Sequence, residues 1–74
     1  MEDKVQEVKI NRLPIELYKF LKLQDIAQSG GEARVLISEG LVCVNGEVET
    51  RNGKKLYPND VVELRESGLK FIIQ

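Results

Sequence analysis

The sequence predicts an α+β fold, with two helices packed on a small, mostly antiparallel sheet. Three observations carry this. Before Gly40, apolar residues recur at helical spacing: Leu17, Phe20 and Leu21 share one face, and so do Ala33, Leu36 and Ile37. After Gly40 the spacing becomes strand-like, in Val42-Cys43-Val44 and again in Val61-Val62-Glu63-Leu64. Between them, Asn45-Gly46 suits a two-residue hairpin turn, because both central residues of that turn need φ > 0.

Each element follows from local chemistry. Val5, Val8 and Ile10 alternate imperfectly with Gln6, Glu7 and Lys9, which predicts a short first strand. Asn11-Arg12-Leu13-Pro14 is a connector, and Pro14 suits the first turn of a helix. That helix is expected over 15–23, with Glu16 near its start to complement the dipole. Lys19 and Lys22 fall on its exposed side. Ile26 and Ala27 continue the apolar pattern until Gln28-Ser29-Gly30-Gly31 breaks the chain. A second helix is expected over 32–39, with Ser29 or Gly30 near its N-cap and Glu32 in its first turn. Gly40 stops it. Leu41 to Val44 then forms a strand, and Val48 follows the hairpin turn. Pro58-Asn59-Asp60 is a turn. Val61 to Leu64 is the next strand, Ser67-Gly68 another turn, and Leu69 to Ile73 the last strand.

Composition narrows the function classes. With 74 residues the chain is expected to be one domain, 1–74, with one modest core. No apolar run reaches the ~18 residues of a spanning helix. The start, MEDKVQEVKI, is acidic and alternating and does not read as a signal peptide. The expected compartment is the cytoplasm, with no membrane partner. Cys43 is the single cysteine and there is no histidine, so the common zinc sites and the Ser-His and Cys-His mechanisms are excluded. No catalytic residue, metal or cofactor is expected, and the chain reads as a non-enzyme. Eleven cations against twelve acids give a net charge of −1, which argues against a strong non-specific polyanion binder but leaves room for a local basic face.

The ordered set of motifs resembles the small RNA-binding domain named after ribosomal protein S-four, the alpha-L fold. The residues that carry it are Ser29, Ala33, Leu36-Ile37, Gly40, Val42-Cys43-Val44-Asn45-Gly46, and Leu56-Tyr57-Pro58-Asn59-Asp60-Val61-Val62. The match covers roughly Leu17 to Leu64. The short length and the Ser-Gly-Gly-Glu-Ala-Arg form resemble most the stand-alone bacterial YbcJ branch. Gly30 stands where the family often has an arginine, and Asn59 where it usually has glycine.

The candidate site residues are Gly30, Gly31, Arg34, Arg51, Lys54, Lys55, Lys19 and Lys22. Gly30-Gly31 is either a plain helix-start turn or a seat for phosphate, where free N–H groups carry partial positive charge. Arg34 is either solvated or a guanidinium fork on phosphate. Arg51, Lys54 and Lys55, with no nearby acid and a flexible Gly53, read as an adaptable cationic edge, and the resemblance implies RNA contact there. Lys19 and Lys22 extend that face from the first helix. Tyr18 and Tyr57 read as partly buried phenols that can also stack on an unpaired base. Phe20 and Phe71 read as core. Cys43 reads as a packing thiol on the sheet face opposite Val42 and Val44.

These readings favour a module for structured RNA, ribosomal or transfer RNA, acting through phosphate and shape contacts. Its partners would include the ribosome or an RNA-modifying enzyme, and it is expected to be monomeric. Two alternatives remain from the residues: a protein-docking adaptor, and a β-grasp-like small carrier. The carrier is disfavoured because the chain ends Phe71-Ile72-Ile73-Gln74 instead of in a reactive Gly-Gly tail.

Overall fold

A computed structural model describes residues 5–74. The acidic start at residues 1–4 lies outside the described residues. The chain order is β1 (Val5–Val8), β2 (Ile15–Glu16), α1 (Leu17–Leu23), α2 (Gly30–Ser38), β3 (Val42–Val44), β4 (Glu47–Val48), β5 (Lys55–Leu56), β6 (Val61–Leu64) and β7 (Lys70–Ile73). Five strands form a sheet in the order β1-β7-β6-β3-β4, and β2 pairs with β5 in a separate two-stranded ribbon. All pairings are antiparallel except β1 with β7, where Val5 faces Lys70 and Val8 faces Ile73. The expected fold class, two helices on a mostly antiparallel sheet, is the one observed.

The core lies between the helices and one face of the sheet. Leu17, Phe20, Leu21, Ala33 and Ile37 come from the helices, and Val42, Val44, Val62, Phe71 and Ile73 from the sheet. The Phe20 and Phe71 rings meet edge to face, with centroids 5.8 Å apart. Cys43 is buried but stands outside this cluster, as strand alternation requires.

Helix α2 is built from local signals. The Ser29 hydroxyl accepts the Glu32 N–H at 3.1 Å, while the Glu32 carboxylate accepts the Gln28 N–H at 3.2 Å. The first bond satisfies a donor that the first turn leaves open, and the second ties the residue before the cap to the helix. Together they move the helix start to Gly30, two residues before the expected one. At the other end Gly40 takes φ +76° and donates its N–H to Ile37, which closes the helix.

Asn45 (φ +53°) and Gly46 (φ +88°) form the β3–β4 turn as expected. The Asn45 side chain adds a link that spacing alone does not reveal. Its Oδ1 accepts the Val61 N–H at 2.8 Å and its Nδ2 donates to Asp60 Oδ1 at 3.1 Å. Asp60 Oδ2 in turn accepts the Tyr57 N–H at 2.8 Å. The hairpin turn and the Pro58-Asn59-Asp60 turn are thereby one braced unit.

The entry to α1 differs from the expectation. Ile15 and Glu16 are extended and pair with Leu56 and Lys55, so the helix begins at Leu17 and Pro14 sits in the connector. Glu16 becomes the N-cap residue, and its side chain makes no capping bond. It pairs instead with Lys19 at 3.1 Å. The helix also ends at Leu23, before Ile26 and Ala27, whose N–H groups turn back to the Leu21 carbonyl.

Candidate nucleic-acid interface

The candidate site is organised by the missing cap of α1. Because Glu16 leaves the first N–H groups open, backbone carbonyls from the loop before β5 take them. Leu17 N–H donates to Lys54 O at 2.8 Å, and Tyr18 N–H donates to Asn52 O at 3.1 Å. These two bonds dock the segment 52–54 on the start of α1. They hold Lys54 and Lys55 beside the helix that carries Lys19 and Lys22.

Tyr18 links this segment to α2. The Arg34 guanidinium lies over its ring, 4.8 Å from the centroid, and the Lys19 ammonium stands 5.9 Å from it. Gly30 faces the ring edge: a Cβ built there would meet Tyr18 at 3.8 Å, an ordinary contact. Neither Gly30 nor Gly31 has positive φ, so both accept side chains without backbone strain. Tyr18 is half-buried, as the sequence suggests. Its role as the hub joining Gly30, Arg34 and Asn52 has no local signature, because its partners are far along the chain.

The cations differ in availability. Arg51 is held by Glu49 through two bonds, Nε to Oε2 at 2.9 Å and Nη2 to Oε1 at 3.1 Å, and its own N–H also donates to Oε2. The Arg51 hydrogen bonds hold the Glu49 carboxyl down to about 2 from its ordinary 4.5, with Lys54 adding a smaller attraction. The expectation of a cationic edge with no acid near it is therefore corrected: Glu49, just outside the run, faces it. Lys19 is paired with Glu16, and the hydrogen bond to that carboxylate raises its pKa. Lys54, Lys55, Lys22 and Arg34 make no ion pair among the described residues. Glu32 at the start of α2 adds one negative charge beside Gly30-Gly31. Asn52 carries a buried Oδ1 with no hydrogen-bond partner, which the sequence reading does not pick out. Tyr57 is about half exposed.

The arrangement presents backbone N–H groups, guanidinium and ammonium groups around one tyrosine. Such groups are the ones that pair with an anion. Over residues 8–73 the chain matches the model of the S4 domain, and it belongs to that family. It is 48% identical over 61 residues to the "Probable ribosome maturation protein RlbA" of Bacillus subtilis (strain 168), covering 82% of this chain and 86% of that protein. It is 42% identical over 58 residues to the "Putative RNA-binding protein YbcJ" of Escherichia coli (strain K12), covering 78% of this chain and 83% of that one. The solution structure of YbcJ from E. coli, described as revealing an alpha-L motif involved in RNA-binding, superposes with a TM-score of 0.62 at 28% identity. That match covers 97% of this chain and 90% of the other. The expected kinship with the YbcJ branch is thus met by sequence and by fold. No helix among the described residues is long and apolar enough to cross a membrane.

Proposed function

We propose that this protein binds structured RNA, ribosomal or transfer RNA, in the cytoplasm, through phosphate and shape contacts. The observation that carries the reading is the docking of segment 52–54 on the start of α1. It brings the main chain of Lys54 to Leu17 and that of Asn52 to Tyr18, whose ring carries Arg34 on its face and Gly30 at its edge. Phosphates sit on Lys54, Lys55 and Arg34 and approach the α2 start closely because two glycines leave it bare. Lys22 extends the track along α1. Arg51 joins it only by leaving Glu49. The names of the relatives support RNA as the polyanion, and that of RlbA favours a ribosomal one.

Fluorescence anisotropy against transfer RNA, ribosomal RNA hairpins and duplex DNA tests the reading. Binding to the RNAs that weakens as salt rises is expected, since neutralised phosphates release counterions. Gly31→Asp places a Cβ in ordinary contact with the Ser29 hydroxyl, at 3.8 Å, and should spare the fold. It should weaken every RNA complex. No RNA binding by the parent overturns the proposal. Full binding by a folded Gly31→Asp removes the helix start from the site.

A further inference from the structure

A second cationic surface lies around the connector before α1, where Arg12, which the site above does not include, joins Lys19 and Lys55, which it does. The connector, β2, the first turn of α1 and β5 enclose an open groove of about 280 Å³, lined by Arg12, Pro14, Ile15, Glu16, Lys19 and Lys55. Three cations face one carboxylate. Glu16 is engaged by Lys19 at 3.1 Å, and the β2–β5 register sets it directly opposite Lys55. Arg12 has no ion pair or hydrogen bond among the described residues and is exposed. The groove keeps a formal surplus of two positive charges, and its concave shape concentrates their field. It runs on, through Arg12 and Ile15, into a wider depression lined also by Lys9 and Asn11. Pro14 and Ile15 supply an apolar floor between the charges.

We propose that this groove is a second phosphate-binding subsite, which takes an RNA backbone segment continuing from the Tyr18 face, with Arg12 as its principal contact. The inference rests on the RNA-binding reading above. Lys19 lines the groove and stands 5.9 Å from the Tyr18 ring, so a strand leaving the first surface meets the second without a gap in positive charge. Two depressions joined at Arg12 and Ile15 suit a chain of phosphates better than one small anion. The forked Arg12 guanidinium takes two phosphate oxygens, and the apolar floor accepts a sugar or base face.

The test uses a ribosomal RNA hairpin carrying a single-stranded 3′ tail, titrated over a salt series by anisotropy. Arg12→Gln should weaken binding about threefold to tenfold and make the salt slope shallower by roughly 0.7–0.9. Arg12→Lys should recover part of the loss. The amide signals of Arg12, Ile15 and Lys55 should shift when the same RNA is added to the labelled parent protein. If Arg12→Gln binds like the parent with the same slope, while Lys54→Ala with Lys55→Ala weakens the complex, the groove is not a subsite and the RNA reading stands. If the parent binds no RNA, both fall. If poly-glutamate binds the parent as tightly as the RNA and Arg12→Gln abolishes it, the groove belongs to an acidic protein partner and the proposal is overturned.

Discussion

The turn at Asn45-Gly46 and the loop at Arg51–Lys55 follow one another in the chain, yet their side chains do opposite things. Asn45 turns inward to its neighbours, bonding Val61 and Asp60, and Asp60 passes the link to Tyr57. In the loop it is the backbone that turns inward, to Leu17 and Tyr18, while Lys54 and Lys55 make no ion pair among the described residues. The polar residues of the recognisable motif therefore hold the fold. The charges available to a ligand stand just outside it. Stability and affinity should separate along the same line.

Asn45→Ala gives the largest effect. It removes two side-chain bonds and leaves alanine at φ +53°, a left-handed conformation that asparagine tolerates better. The expected loss is about 2 kcal/mol, a fall in Tm of roughly 8–16 °C. Thermal melts measure it, and RNA affinity measured well below the melt should stay within about twofold. A large loss of affinity in a fully folded Asn45→Ala would break the division between the two loops. The converse variant, Lys54→Ala with Lys55→Ala, should leave Tm nearly unchanged, because the bonds to α1 are made by main-chain carbonyls. RNA binding should weaken roughly tenfold with a shallower salt slope.

Ser29→Ala is next, at about 1 kcal/mol, since the Glu32 N–H loses its acceptor. It tests whether the α2 start must be ordered to bind. A lower Tm with unchanged affinity at low temperature would mean that the frame around Gly30-Gly31 survives without its cap.

The legible parts of the fold were those with short-range chemistry. The α2 cap, the Gly40 stop and the Asn45-Gly46 turn each depend on backbone geometry within a few residues. The parallel pairing of β1 with β7 joins opposite ends of the chain, and β2 and β5 have two residues each, too few for a period to register. The β2–β5 pairing also explains why α1 starts late, because Ile15 and Glu16 are drawn into it. The candidate site was legible as a set of cations but not as a set of pairs. Glu49 lies two residues before Arg51, and in extended chain such residues project to the same side. Counting acids only inside the run from Arg51 to Lys55 left that partner out. Tyr18 and Arg12 gain their importance from contacts and grooves that only the fold assembles.

Glu49→Gln makes the smallest change and bears most directly on the availability of Arg51. Neutralising the acid releases the guanidinium from its two-pronged pair, so the loop presents a third unpaired cation. RNA affinity should rise roughly twofold to fivefold, the scale of about 0.5–1 kcal/mol for one exposed charge contact, and the salt slope should steepen. The same variant reports on acid stability. The folded Glu49 carboxyl is held down to about 2 against an ordinary 4.5, so its contribution is complete above 4.5 and is lost as pH falls from there toward 2. The parent should lose stability across that window more steeply than Glu49→Gln, as chemical denaturation at a series of pH values would measure. Parallel pH profiles would show that the pair adds nothing to folding. Unchanged RNA affinity would place Arg51 outside the interface and leave the loop's contribution to Lys54 and Lys55.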